Sequence, residues 1–122
     1  ATLSGSVAVT HYGAVGSYTF VGASSRVLQD IAPYMLADGN PARPRCINIV
    51  ALKRNNFAPK VINALNEAYR LMYRARVGLD AARELLASRD ELIPDIQHLF
   101  ESLEFSQAGR HGRGREQRRK AA

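Results

Sequence analysis

Tryptophan is absent, only 7% of the 122 residues are aromatic, and cysteine occurs once, so no disulfide scaffold is available within the chain. No stretch of 18 apolar residues occurs, which excludes a helix that crosses a bilayer. The first residues show no basic segment followed by an apolar run. The single thiol, Cys46, cannot close an internal disulfide and suits a reducing compartment. Within Cys46-Ile47-Asn48-Ile49-Val50 it is expected as a small buried apolar side chain. Acid is scarce at one end: in residues 108–122, Glu116 stands alone against Arg110, Arg113, Arg115, Arg118, Arg119 and Lys120. That segment carries all but about one unit of the formal net charge of +6. A basic binding face should belong to the folded part of a chain, and here the folded part is nearly neutral. With 46% hydrophobic and 23% charged residues, the remainder has the balance of one globular domain.

What is present in quantity is a repeat. Leu3, Val9, Val15, Val21 and Val27 are aliphatic at an unbroken spacing of six, and Val7, Gly13, Thr19, Ser25 and Ile31 follow each by four. An α-helix cannot keep every sixth residue on one face, because six steps of about 100° leave it about 120° off a whole turn. A three-sided spiral can. One short strand and one corner per six residues place each aliphatic side chain in a central shaft, with small residues and glycines expected to ease the corners. Successive coils then stack through parallel backbone hydrogen bonds. The spacing predicts a hexapeptide parallel β-helix over residues 1–31. That is fewer than two coils, below the roughly three repeats a stacked architecture needs, so these residues are expected to end a longer solenoid.

After Asp30 the hexads stop. Pro33, Pro41, Pro44 and the pair Gly39-Asn40 predict an ordered exit loop without ladder or helix, continuing into a segment that reaches residue 57. The period then becomes helical across residues 58–107. Pro59 opens a first helix with Ile62, Leu65, Tyr69, Met72 and Arg76 on one stripe, and Gly78 is the expected terminator. Asp80 is expected to cap a second helix through Ala87, and Pro94 to open a third lined by Ile96, Leu99, Phe100 and Leu103. Residues 108–122, rich in Gly, Arg and Gln, are expected to be a disordered basic tail. His98 is expected on the polar side of the third helix and His111 in the tail, and no metal site is expected of either.

Several segments together resemble one family. Gln29-Asp30-Ile31-Ala32-Pro33-Tyr34 is similar to a Q-D-V-P-P-Y element, and Gly39-Asn40-Pro41-Ala42 to G-N-x-A. The ten residues from Asn48 to Phe57 are similar to N-I-E-G-L-K-R-R-G-F, and Ala68-Tyr69-Arg70-Leu71-Met72-Tyr73-Arg74 to that family's first C-terminal helix. The family is that of the acyl-ACP–UDP-N-acetylglucosamine O-acyltransferases of lipid A synthesis. The resemblance implies a left-handed parallel β-helix followed by a small C-terminal helical domain, a cytoplasmic homotrimer, and clefts between neighbouring shafts. It implies transfer of an acyl chain from acyl carrier protein to the 3-hydroxyl of UDP-N-acetylglucosamine, with no other cofactor. The family's catalytic histidine lies in a middle coil that has no counterpart here, so no catalytic residue is assigned.

The resemblance further implies substrate-binding roles for Asn48, whose amide can read a sugar or base edge, and for Arg54, whose planar fork suits a diphosphate. Lys53 would add charge toward phosphate or carrier protein. His11 stands in the family's V-H-Q-F element, here Val9-Thr10-His11-Tyr12, and would donate to the substrate. Where the family has a glutamate and a second arginine, this chain has Val50 and Asn55, which leaves open a relative acting on another nucleotide sugar. Two other readings remain: a non-catalytic trimerising cap, and a module whose tail binds anionic polymers or headgroups. Gly-Arg interleaving without aromatic residues gives charge without stacking, so nucleic acid is not the expected partner.

Overall fold

The six-residue period becomes physical stacking in the computed structural model, which describes residues 1–116. Strand β1 (Thr2–Leu3) pairs in parallel with β3 (Phe20–Val21), placing Leu3 beside Val21. Strand β2 (Ala8–Val9) pairs likewise with β4 (Arg26–Val27), placing Val9 beside Val27, and Val15 bridges Ile31 on the third side. All five hexad aliphatics therefore stack around one axis. Val21 and Val27 are wholly buried, whereas Leu3 and Val9 lie at the uncovered end, 49% and 39% exposed.

The corners are made differently from expectation. Positive φ falls on Ser6, Tyr12, Tyr18 and Ser24, again six apart, and on none of the glycines in the hexads. Two of these glycines, Gly16 and Gly22, instead give room between coils. A Cβ on Gly16 would run into the backbone of Ala32 and Pro33, and one on Gly22 would lie 3.1 Å from the Asp38 Cβ. Each left-handed L-residue costs about 1–2 kcal/mol, which the flanking coil-to-coil hydrogen bonds must outweigh. One such bond runs from the Ser24 amide to the Gly5 carbonyl at 2.8 Å.

The period then breaks by two residues. Thr2 faces Phe20 and Ala8 faces Arg26, 18 residues on, but Val15 faces Ile31 and Phe20 faces Leu36, only 16 on. The corner due at position 30 is cut short, and the next left-handed residue is Tyr34. Its φ is 70°.

The expected exit loop is a β-hairpin. Strand β5 (Met35–Gly39) continues the coil parallel to β3, and β6 (Ala42–Ile47) returns antiparallel to it across Asn40 and Pro41. The prolines misled because β6 is an edge strand, in sheet order β1-β3-β5-β6, where a missing N–H is tolerated. A bulge between Leu36 and Ala37 interrupts the alternation of β6, so Arg45 and Cys46 both face outward. Cys46 is thus exposed, contrary to its expected burial.

Four helices follow: α1 (Ile49–Arg54), α2 (Pro59–Tyr69), α3 (Leu79–Ser88) and α4 (Pro94–Ala108). The stripe foreseen for α2 is inward, with Leu65, Ala68 and Tyr69 buried. Its end differs: the helix widens into a π turn at Arg70–Arg74, where Ala75 N–H reaches the Arg70 carbonyl, and stops with Arg76 at φ 53°. Gly78 is the N-cap of α3 rather than the end of α2, and Asp80 sits inside the first turn, where its charge favours the helix dipole. Leu86 of α3 and Ile96, Leu99 and Phe100 of α4 complete a core shared with α2, and the Tyr69 hydroxyl ties α2 to β6 by donating to the Arg45 carbonyl at 2.6 Å.

Residues 109–116 are ordered, a correction to the disordered tail. They fold back on the shortened corner: the Asp30 amide donates to the Gly112 carbonyl at 2.9 Å, and the Arg113 guanidinium to the Leu28 carbonyl at 2.9 Å. Arg113 also pairs with Glu116, which holds that carboxyl below its usual range. The rest of the basic segment, residues 117–122, lies outside the described residues.

Candidate functional site

Asn48 connects coil to helix. Its backbone N–H donates to the Tyr34 carbonyl at 2.7 Å, its Nδ2 donates to the Tyr18 carbonyl at 2.9 Å, and its Oδ1 accepts from the Ala51 N–H as the cap of α1. Tyr18 and Tyr34 are the left-handed corner residues of successive coils. One amide thus fixes the helix against two corners. These bonds leave one Nδ2 hydrogen and part of the Oδ1 acceptor capacity for a ligand.

Short α1 separates two clefts. On one side a cleft of about 400 Å³ is bordered by Ser17, Tyr18, Thr19, Asn48, Ala51 and Asn55. On the other, about 560 Å³ is bordered by Ile49, Lys53, Asn56, Phe57, Ile62 and Asn63. Asn48 and Lys53 therefore face different spaces. Arg54 ends α1 with an exposed side chain that makes no ion pair among the described residues, and His11 is exposed at a coil corner away from both clefts. Within one chain the four predicted binding residues do not converge. Asn55, at the position of the family's second arginine, turns its Nδ2 inward to the Ala51 carbonyl at 2.7 Å, and Val50 is 60% exposed on the outer face of α1.

Beneath α1 lies an aromatic group that hexad reasoning missed. Tyr18 and Tyr34 stack with centroids 6.0 Å apart, and Phe57 meets both edge-on at 5.1 and 6.1 Å. His98 of α4 meets the Tyr34 ring edge-on at 6.0 Å. The Tyr34 hydroxyl donates to Asp95 Oδ1 at 3.2 Å; burial, then the Asp95 carboxylate, push its ionisation well above the ordinary phenol range. The hydroxyl is therefore held in its neutral form, as an anchor to α4.

The residues include an amide and two exposed cations, group types that can bind phosphate, spread over separate surfaces of the chain. It contains no nucleophile beside a base, and among the described residues no three His, Cys, Asp or Glu side chains gather as metal ligands. No helix among the described residues is long and apolar enough to cross a membrane.

Comparison with known proteins gives the family. Residues 30–114 match the model of the second domain of UDP N-acetylglucosamine O-acyltransferase. A curated acyl-[acyl-carrier-protein]–UDP-N-acetylglucosamine O-acyltransferase of Vibrio atlanticus is 37% identical over 102 residues, covering 84% of this chain and 39% of the relative. Its counterpart in Burkholderia lata is 35% identical over 113 residues, covering 89% and 43%. Among solved structures, the UDP-N-acetylglucosamine O-acyltransferase of Moraxella catarrhalis superposes with a TM-score of 0.67 at 30% identity, over 81% of this chain and 46% of that one. The Bacteroides fragilis acyltransferase shares the fold, with a TM-score of 0.78 at 24% identity over 96% of this chain and 43% of the other. The chain thus spans about two fifths of the length of the curated relatives it matches. Its coils, hairpin and helices are those of one lineage, and the chain belongs to the UDP-N-acetylglucosamine O-acyltransferase family.

Proposed function

We propose that these residues form the C-terminal part of an enzyme that moves an acyl chain from acyl carrier protein to the 3-hydroxyl of UDP-N-acetylglucosamine in lipid A biosynthesis. The observation that carries this reading is the family match across residues 30–114, which runs from the shortened coil through the hairpin and all four helices. The spiral is left-handed, the enzyme is a cytoplasmic homotrimer, and the segments 1–31, 32–57, 58–107 and 108–122 act as final coils, substrate-side segment, helical domain and basic tail. Exposed Ile49 and Val50 on α1 and exposed Tyr12 on a coil corner support packing by neighbouring copies. In such a trimer the clefts beside α1 are walls completed by a neighbour, which accounts for His11, Asn48 and Arg54 standing apart within one chain.

The roles follow from that placement. Asn48 holds α1 in position and offers its remaining amide hydrogen to the sugar nucleotide. Arg54 binds diphosphate, Lys53 faces phosphate or carrier protein, and His11 donates a hydrogen bond from the adjoining corner. The general base comes from a coil outside residues 1–122, and the family requires no cofactor beyond the acylated carrier.

The test uses the protein at its native length in an acyl-transfer assay. Arg54→Ala should raise KM for UDP-N-acetylglucosamine at least tenfold, since a charge-assisted contact contributes about 1.5–3 kcal/mol. An unchanged KM removes Arg54 from the site, and absence of acyl transfer by the unaltered protein overturns the reading. Exposed Val50 and inward-turned Asn55 favour a second reading, a changed sugar nucleotide, which the same assay reads as a higher kcat/KM with a different UDP-sugar.

A further inference from the structure

A further cleft shares no lining residue with the two beside α1. It measures about 840 Å³, within the range of small-molecule sites, and is framed by β6, the π turn, α4 and the shortened corner. Its apolar floor is aliphatic: Ile31, Met72, Val77 and Leu103. The two tyrosines in its wall, Tyr69 and Tyr73, lie against each other with centroids 5.3 Å apart, so the rings are engaged with one another rather than offered to a planar ligand. The π turn, a helical irregularity frequent at functional sites, carries Met72 and Tyr73.

The rim is cationic. Arg43 and Arg45 of β6 and Arg76 just beyond the π turn border the cleft. Arg45 is bound to Asp38 at 2.5 Å, whereas Arg43 and Arg76 are exposed and form no ion pair among the described residues. The one carboxylate in this lining, Asp30, is turned to its own neighbours, accepting from the Ala14 N–H, the Gly114 N–H and the Ser106 hydroxyl. Two uncommitted guanidiniums over an aliphatic floor match a ligand with an anionic head and an alkyl body.

We propose that this cleft is a second binding site, separate from the clefts beside α1, for a single-chain amphiphile with a phosphate head, which Arg43 and Arg76 hold while Met72, Val77 and Leu103 cover the chain. Tyr73 adds a neutral donor at the wall: burial, and then the adjoining Tyr69, push its phenol up to about 12.

The experiment titrates the protein at its native length with dodecyl phosphate, below its micelle concentration, by calorimetry. The expected result is saturation at one equivalent per chain, with inorganic phosphate and dodecyltrimethylammonium each binding at least tenfold more weakly. Charge reversal, Arg43→Glu with Arg76→Glu, should weaken binding at least about tenfold, as loss of charge-assisted contacts demands. Should that protein melt early, Arg43→Gln with Arg76→Gln reads the same loss without repulsion. Lack of saturation, unchanged affinity in the folded variant, or equal binding of the cationic amphiphile overturns the proposal. Displacement by UDP-N-acetylglucosamine overturns it as well, since the two sites would then be one.

Discussion

Replacing Asp30 by alanine tests how the last coil is shortened. Its Oδ1 accepts from the Ala14 N–H at 2.9 Å, and its Oδ2 accepts from the Gly114 N–H at 2.8 Å and the Ser106 hydroxyl at 2.9 Å. The hydroxyl has an alternative, because it also donates to the Ser102 carbonyl at 3.0 Å, so its loss is mild. The two amides have no second acceptor among the described residues. A bond to a charged acceptor contributes about 1.5–3 kcal/mol, and two at the lower value give about 3 kcal/mol for Asp30→Ala. Asp30→Asn keeps one acceptor oxygen but presents NH₂ to the other donor, so it should recover no more than about half. Native-state hydrogen exchange at Ala14 and Gly114 reads the effect locally, without requiring the whole solenoid to unfold in one step. Equal protection in Asp30→Ala and the unaltered protein would falsify the view that this carboxylate holds the coil, as would full protection of both amides in Asp30→Asn.

Three further outcomes are expected. Gly16→Ala, whose new methyl meets the backbone of Ala32 and Pro33, should lower stability by about 1–3 kcal/mol, measured as a shift of the urea midpoint at constant slope. Asn48→Ala should cost about 2 kcal/mol, about 1 for the helix cap and about 1 for the bond to Tyr18, and should raise Tm-normalised exchange of the Ala51 amide. Glu67 joins α2 to α3 through Arg70 and Arg89; its hydrogen bond to Arg70, seconded by Arg89, lowers its carboxyl to about 2 from 4.5. Because the folded value is depressed, its stabilisation is complete above the unfolded value and disappears as pH falls from about 4.5 toward 2. With both arginine partners about half exposed the effect is no more than about 1 kcal/mol, and a stability difference between Glu67→Gln and the unaltered protein that did not shrink over that interval would refute the assignment.

The repeat was legible because burial around a shaft repeats with the coil: every aliphatic at the six-residue spacing had to face the axis. The corners were not, since positive φ is chosen by the path of the chain and falls on Tyr and Ser here, while Gly16 and Gly22 answer to contacts with the next coil. The shortening to 16 residues was hidden for a different reason. The carboxylate that anchors it takes its donors from Ala14, Ser106 and Gly114, and no local pattern links positions 76 and 84 residues apart. Likewise the hairpin was obscured by Pro44, which local rules assign to a loop and an edge strand accepts. Of the candidate site, the residue types around α1 were readable, and Asn48 as a cap was readable in principle from an Asn three residues before Ala51. The aromatic group was not, because Tyr18, Tyr34, Phe57 and His98 come from four distant segments that only the fold assembles.

The hairpin has a consequence beyond its place near the site. Strand β6 runs antiparallel along the outer side of β5, so a further parallel coil finds that position taken. The neighbouring side of the spiral is closed by the chain returning at Gly112 and Arg113. A stack of parallel coils with a bare last rung would invite copies of itself to polymerise end to end, in the manner of an amyloid template. This terminus is sealed by two unrelated pieces of chain, so growth in that direction is blocked by architecture rather than by charge.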